Sequence, residues 1–547
     1  MPDGNGTRQP ARALGTPLAL ALCCGFATAG AGLCDEPPDS EDSWVRAELQ
    51  AVCERLTRSD NPFFGHGLLE EVTAALERAE GAPPEIQVRL RGNRGSHLLL
   101  QDRVAEAVDQ LQEALAVLDE TAQELDPAVE KELRKTVLRV LAVARLQLAE
   151  DQNCIARHTP ASCILPLAEE GVHREPQEAR RAGNLYLELI AVAPDEVRSV
   201  QARWLLNLSR MLSGDYPDGV PEPLRLPPDA FASDEPFPRF PNIAPGLGID
   251  AMDLAGGAVM EDFDGDGLLD LVSGTWDPCA PMKAFKNDGR GGFVDVTAEW
   301  GLDVQLGAFN LVSGDFDGDG MVDLLALRGG WLGADGKIRN SLLRNDLDRE
   351  AGRFVDVTAA AGLAYPAYPT QTASWADYDG DGDLDLYVGN ETPETETVQP
   401  WTLSRKSRDA YPSQLFRNDG DGTFTEVARQ AGVTNDRFAK GVAWGDYDDD
   451  GDPDLYVSNI GPNRLYRNDG RGEDGTTTFT DVAPELGVDE PAEESFATWF
   501  FDADNDGDLD LWVNRYGALV EQVSASYMGH EEPGGNPVLY RNDGGRF

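Results

Sequence analysis

One nine-residue pattern constrains this chain more than any other: Asp377-Tyr-Asp379-Gly-Asp381-Gly-Asp-Leu-Asp385, the third of five near-copies. The others begin at Asp262, Asp315, Asp446 and Asp502, and each reads D-x-D-x-D-G-x-x-D. Four carboxylates held this close repel one another unless a cation compensates them. A hard cation such as Ca²⁺ seeks about six to eight oxygens, and alternate side chains of a tight loop converge on one point. A glycine at loop position 6, present in all five copies as Gly267, Gly320, Gly382, Gly451 and Gly507, permits the sharp turn. The candidate ligands are therefore Asp262, Asp264, Asp266 and Asp270; Asp315, Asp317, Asp319 and Asp323; Asp377, Asp379, Asp381 and Asp385; Asp446, Asp448, Asp450 and Asp454; and Asp502, Asp504, Asp506 and Asp510. A solvated acidic turn would account for one such loop but not for the same four carboxylates five times over. About five Ca²⁺ sites are expected, because Mg²⁺ tends to keep its water.

An EF-hand requires Glu at position 12 and flanking helices. Position 12 is instead Ser273, Ala326, Val388, Val457 and Val513. The flanks, such as Leu384-Asp-Leu-Tyr-Val388 and Leu509-Asp-Leu-Trp-Val513, alternate apolar with other residues and carry aromatic and β-branched types, the pattern of strands. The loops start 53, 62, 69 and 56 residues apart, and a second motif recurs between them. It reads Phe285-Lys-Asn-Asp-Gly289, Leu342-Leu-Arg-Asn-Asp346, Leu415-Phe-Arg-Asn-Asp-Gly420 and Leu465-Tyr-Arg-Asn-Asp-Gly470, each followed by a strand beginning at Phe293, Phe354, Phe424 or Phe479. Asn-Asp-Gly between apolar runs signals a hairpin. Each unit thus supplies about four strands, and a period near sixty predicts propeller blades with the acidic loops along one rim.

These residues resemble the FG-GAP and VCBS-type repeats of integrin α-subunit propellers, and more closely the cartilage-acidic-protein-like family. There the acidic loop is paired with L-[YF]-R-N-D-G-x-G-x-F and an aliphatic A-G-[LV], here Ala361-Gly-Leu363, Ala431-Gly-Val433 and Leu486-Gly-Val488. The resemblance covers about residues 246–547. It implies a seven-bladed propeller, Ca²⁺ in the loops, and a role in extracellular interaction or adhesion. Seven blades would need roughly a hundred residues more than the chain supplies after position 246. Since the sequence stops within a hairpin motif at Leu539-Tyr-Arg-Asn-Asp-Gly-Gly-Arg-Phe547, the propeller is expected to be incomplete and the gene model truncated.

Upstream, Arg8 and Arg12, the apolar run from Leu14 to Phe26, and Ala27-Thr-Ala29 or Ala29-Gly-Ala31 form a secretory signal over residues 1–31. A flexible leader follows over 32–42. An α-helical domain spans 43–217, and a Pro-rich linker covers 218–245. Within the helices Val104, Ala107, Val108, Leu111, Ala114, Leu115 and Leu118 form one apolar face. Gly95, Ala107, Leu111 and Ala114 fall at the small-and-large offsets of a tetratricopeptide repeat, so the domain is TPR-like, with an ordinary helical hairpin as the alternative. The fold class is thus a helical region followed by an all-β propeller.

The formal net charge of −51 argues against nucleic acid and anionic membranes as partners. No stretch of the mature chain is expected to span a bilayer. The product is expected outside the cytoplasm: extracellular, at the cell surface or periplasmic. Its partner would be a protein or glycan there, and Trp276, Trp331, Trp401 and Tyr411, in longer loops, are contact candidates unless they pack between units. Among the mature cysteines, Cys154 and Cys163 are the disulfide candidate in an oxidising compartment. With His158 and His173 they offer a second reading, a redox or soft-metal site. A third reading, a polysaccharide-active enzyme using a carboxylate pair, finds no G-x-S-x-G or H-E-x-x-H in the chain, and every repeated acid serves better as a metal ligand. No catalytic residue is assigned.

Overall fold

The computed structural model describes residues 41–547 apart from 156, 158, 160, 163, 168, 195–197, 228, 233–239, 350, 394–409, 492–493, 516–523, 526 and 529–536. The signal and nearly all of the leader expected over 1–42 lie outside the described residues.

Seven helices come first: Glu41–Thr57 (α1), Gly67–Arg78 (α2), Pro84–Leu100 (α3), Val104–Thr121 (α4), Pro127–Glu150 (α5), Gln177–Val192 (α6) and Arg198–Leu212 (α7). From α2 onward each helix packs against the next. The apolar face read from the sequence is the buried face of α4, with Val104, Ala107, Val108, Leu111, Ala114 and Leu118 all inside. Helix α3 approaches at Gly95, where a Cβ would stand 2.5 Å from Leu111 Cγ, so only glycine allows that crossing. The Pro-rich stretch after α7 is pinned to it: Asn207 Nδ2 donates to Leu224 O, and its Oδ1 accepts the Leu226 N–H.

Five antiparallel sheets follow, each a meander. Sheet 1 holds Ala258–Glu261 (β1), Asp270–Ser273 (β2), Lys283–Asn287 (β3) and Phe293–Asp295 (β4). Sheet 2 holds Asn310–Gly314 (β5), Asp323–Leu327 (β6), Ser341–Asp346 (β7) and Arg353–Asp356 (β8). Sheet 3 holds Thr370–Ala376 (β9), Asp385–Asn390 (β10), Gln414–Asn418 (β11) and Phe424–Glu426 (β12). Sheet 4 holds Phe438–Gly445 (β13), Asp454–Ile460 (β14), Arg464–Arg471 (β15) and Thr477–Asp481 (β16). Sheet 5 has three described strands, Ser495–Phe501 (β17), Asp510–Arg515 (β18) and Val538–Tyr540 (β19). Among the described residues no sheet closes on itself.

The cores lie between successive sheets. Phe263 and Val272 of sheet 1 meet Leu324, Leu343 and Phe354 of sheet 2. Phe316 and Leu325 meet Leu386 and Phe416 of sheet 3. Tyr378 and Tyr387 meet Leu455 and Tyr466, and Tyr447 and Tyr456 meet Leu511 and Val513. Burying such aromatic and aliphatic faces is the main force stacking the units. The first strands β1, β5, β9, β13 and β17 also touch their successors.

In a meander the first and third turns lie at one end and the second turn at the other. The acidic loops and the Asn-Asp-Gly turns therefore share an end, and helix α1 docks on the opposite one. There Val45, Leu49 and Leu56 pack against Val304, Leu306, Leu332 and Ile338. Arg339 Nε bonds Glu48 at 2.7 Å, and the Tyr365 hydroxyl donates to the same carboxylate at 2.9 Å. A disulfide joins Cys53 of α1 to Cys279 after β2, 226 residues apart. This bond was not foreseen. The expected partner of Cys154, Cys163, lies outside the described residues, as does His158. Cys154 Sγ sits 3.4 Å from His173 Nε2.

Candidate metal centres

Each acidic loop closes the hairpin between the first and second strands of its sheet, and position 9 is the first residue of the second strand: Asp270, Asp323, Asp385, Asp454 and Asp510. The loops share one internal bonding scheme. The position-1 carboxylate accepts the N–H of positions 5 and 6, as Asp377 does from Asp381 at 3.1 Å and Gly382 at 3.0 Å. The position-5 carboxylate accepts the N–H of position 7, as Asp381 does from Asp383 at 3.1 Å. The position-6 glycines have φ between 87° and 102°, as the sequence required. Position 4 is left-handed too, and the sequence reading missed it. Its residues are Gly265, Gly318, Gly380, Asp449 and Asn505, drawn from the types that tolerate positive φ, so the signal was present.

In every loop one oxygen from each of positions 1, 3 and 9 lies within 4.8 Å of the other two: Asp262, Asp264 and Asp270; Asp315, Asp317 and Asp323; Asp377, Asp379 and Asp385; Asp446, Asp448 and Asp454; Asp502, Asp504 and Asp510. The position-5 aspartates, Asp266, Asp319, Asp381, Asp450 and Asp506, stand outside that trio and cap the loop backbone. Several oxygens of the trio residues are buried without a hydrogen-bond partner: Asp264 Oδ1, Asp270 Oδ2, Asp379 Oδ1 and Asp448 Oδ1. Burial is the main cause that drives the Asp323 carboxyl up to about 7, and Asp385 and Asp454 up to about 8, against the opposing backbone N–H bonds. Close, desolvated carboxyl groups, some with unpartnered oxygens, fit a hard divalent cation that would displace their protons.

The five loops differ in what lies over them. In loop 1 the Lys286 ammonium bonds Asp264 and also reaches Asp266 at 3.2 Å. In loop 2 Arg349 bonds Asp319. In sheets 3 and 4 the arginine at the Lys286 position turns away: Arg417 bonds Asp419 at 2.6 Å, and Arg467 bonds Asp469 at 2.7 Å. Asp288 of sheet 1 is instead occupied by the N–H groups of Arg290 and Gly292, which leaves Lys286 to the loop. Arg541 stands 3.5 Å from Asp504 in loop 5.

The aromatic contact candidates serve the core. Tyr411 is buried against Tyr368. Trp276 packs on Phe63 and Phe64 of the α1–α2 turn and donates to Gly330 O. Trp331, at φ 66°, places its ring 3.2 Å from the fully buried Lys440 Nζ, which also bonds Glu391 and Gln371. Trp401 lies outside the described residues.

The family model for the FG-GAP-like repeat matches residues 262–326, 407–457 and 446–513. These stretches carry FG-GAP-like repeats, and the chain is similar to cartilage acidic protein 1. Against that protein from Homo sapiens it is 30% identical over 131 residues, 23% of this chain and 19% of the relative. Against the Xenopus tropicalis protein it is 34% identical over 107 residues, 19% of this chain and 16% of the relative. The aligned stretch thus spans a fifth or less of the curated relatives' length. Two solved structures share weaker likeness. One is a lectin of Agrocybe aegerita described as recognising non-reducing terminal N-acetylglucosamine (TM-score 0.27, 19% identity, 48% of this chain and 61% of that one). The other is the V. cholerae biofilm matrix protein Bap1 (TM-score 0.26, 12% identity, 50% and 37%). Neither overlay is close enough to argue from. No helix among the described residues is long and apolar enough to cross a membrane.

Proposed function

We propose that the five sheets are successive blades of a calcium-binding propeller, exported from the cytoplasm, that serves as an interaction or adhesion module for an extracellular or periplasmic protein or glycan. On this reading a TPR-like helical segment over 43–217 and a linker over 218–245 precede the propeller of 246–547. The carrying observation is the fivefold trio of carboxylate oxygens, which in loops 1, 3 and 4 has buried, unpartnered members. The contact of each first strand with the next supports a radial arrangement about a shared axis. The Cys53–Cys279 bond supports an oxidising compartment, where such bonds persist.

Ca²⁺ would be structural here. Bound by Asp377, Asp379 and Asp385 and their counterparts, it would supply the positive charge that the loop lacks and fix the hairpin end. Calorimetric unfolding of the chain with excess Ca²⁺ and with chelator is the test. An upward shift of the transition with Ca²⁺ that shrinks in the Asp377→Asn, Asp379→Asn double variant is expected. An identical transition in both conditions would refute the calcium reading.

A further inference from the structure

The Asn of the second motif does more than close a turn. In sheet 3, the Asn418 N–H donates to Asp385 Oδ1 of its own acidic loop at 2.8 Å. Its side-chain Nδ2 donates to Leu384 O of that loop at 3.2 Å, and also to Phe316 O at 2.9 Å. Phe316 is position 2 of the loop in the preceding sheet, and its own N–H donates to Asp323 Oδ2 at 3.0 Å. A continuous hydrogen-bonded path therefore runs from one position-9 carboxylate to the next: Asp385, Asn418, Phe316, Asp323.

The same path repeats between sheets 3 and 4 and between sheets 4 and 5. Asn468 joins Asp454 to Tyr378 O, and the Tyr378 N–H returns to Asp385. Asn542 joins Asp510 to Tyr447 O, and the Tyr447 N–H returns to Asp454. Asn345 joins Asp323 to Phe263 O in loop 1, but Asp270 Oδ2 there accepts no hydrogen bond, so this link stops at Phe263. All four asparagines are buried. Buried carboxamides are costly to leave unpaired, so each has little freedom to move unless the groups it holds move with it.

We propose that Asn418, Asn468 and Asn542 are positioning residues that couple neighbouring metal loops, so that filling one loop raises the affinity of the next and loops 2 to 5 load cooperatively. The proposal rests on the calcium reading above. A cation that fixes Asp385 fixes the Asn418 amide. That in turn fixes the Phe316 carbonyl and restrains, through the same residue's Cα, the N–H that holds Asp323. The neighbouring loop then has less ordering left to do when its own ion arrives, which is positive coupling without a change of shape. Reciprocity requires the same effect in both directions. Helices are not needed for this, since each link lies between sheets.

Hydrogen exchange of the full chain across a Ca²⁺ titration tests it, read at the amides of loop positions 5, 6 and 7. Protection of these amides by Ca²⁺ is expected in the wild-type protein, and its absence from all five loops would overturn the calcium reading and the coupling together. Silencing loop 3 with Asp377→Asn and Asp379→Asn should raise the Ca²⁺ midpoint of loops 2 and 4 by about five- to tenfold, within the usual range of coupling between sites. Unchanged midpoints there, with loop 3 silent and the others still protected, would overturn the coupling and leave the calcium reading standing. Adding Asn418→Ala should abolish the response of loop 2 while the response of loop 4, carried by Asn468, persists. A loop 2 that still responds would overturn the assignment to Asn418, because a purely structural loss would weaken binding without cutting transmission at one side. If that variant fails to fold, the silenced wild-type background alone still decides whether coupling exists.

Discussion

At the end of the sheets covered by α1, buried carboxylates lie against cations from the chain itself. Asp356 pairs with Arg339 at 3.1 Å, Glu48 of α1 bonds the same guanidinium, and Glu391 holds Lys440. At the opposite end, no ion pair reaches the ligand carboxylates of loops 3 and 4 among the described residues, while loops 1 and 2 carry Lys286 and Arg349. The contrast shows in the carboxyl groups. Burial alone would push Asp356 up, but Arg339 and the hydrogen bonds from Thr358, Arg339 and Gln305 outweigh it and hold the group below its ordinary value. Asp385 and Asp454 are buried with only N–H donors to help them, and rise to about 8. One end is neutralised by cations of the chain; at the other, the carboxylates of loops 3 and 4 have none within ion-pair distance among the described residues.

The largest effect that would sharpen this contrast comes from Arg339. Arg339→Met leaves Asp356 and Glu48 without their cation, and removing one member of a buried pair typically costs about 3–5 kcal/mol. Urea unfolding should show it equally with Ca²⁺ or chelator; a calcium-dependent loss would break the division between the two ends. Next, Cys53→Ser with Cys279→Ser opens a 226-residue loop and should cost about 2–4 kcal/mol, seen as a lower denaturation midpoint under non-reducing conditions. Calcium itself, at about a hundred times its dissociation constant, should add about 2.7 kcal/mol for each loop it fills. Asp385→Asn should remove one such increment, whereas Asp356→Asn should remove none.

Smaller effects separate the loops from one another. Lys286→Ala frees the carboxylates of loop 1, and since a half-exposed ion pair is worth up to about 1 kcal/mol, loop 1 should bind Ca²⁺ a few-fold more tightly by calorimetric titration. Arg417→Ala should leave loop 3 unchanged, because that guanidinium lies on Asp419. The smallest is a pH effect. Asp356 has a folded value depressed below its unfolded one, so its contribution is present above about pH 4 and fades as pH falls further. Urea midpoints measured from pH 5 to pH 3 should therefore drop more steeply for the wild type than for Asp356→Asn, and parallel curves would contradict the internal neutralisation assigned to that end.

Much of this was legible because it is local. The acidic loop, its position-6 glycine, the alternating strands and the Asn-Asp-Gly turns each lie within about ten residues and recur, and the buried stripe of α4 follows from its 3.6-residue period. What escaped depends on distance along the chain. Cys53 and Cys279 lie 226 residues apart and give no sign of each other in sequence. Tyr411 and Trp276 sit in long loops, where the sequence shows aromatic surface but not the partners that bury it. The asparagine of the second motif was read as a turn residue; its other role, holding the loop of the preceding sheet, exists only where two sheets stack.

The sequence by itself determined the repeating hairpins and placed the acidic side chains at fixed offsets, because glycine tolerance, alternation and turn chemistry are properties of neighbouring residues. Only the tertiary structure decided which three carboxylates of each four converge, which loops carry a cation of their own, and which end of the sheets α1 covers. Those outcomes turn on desolvation and on partners supplied by other strands, which are absent until the units pack.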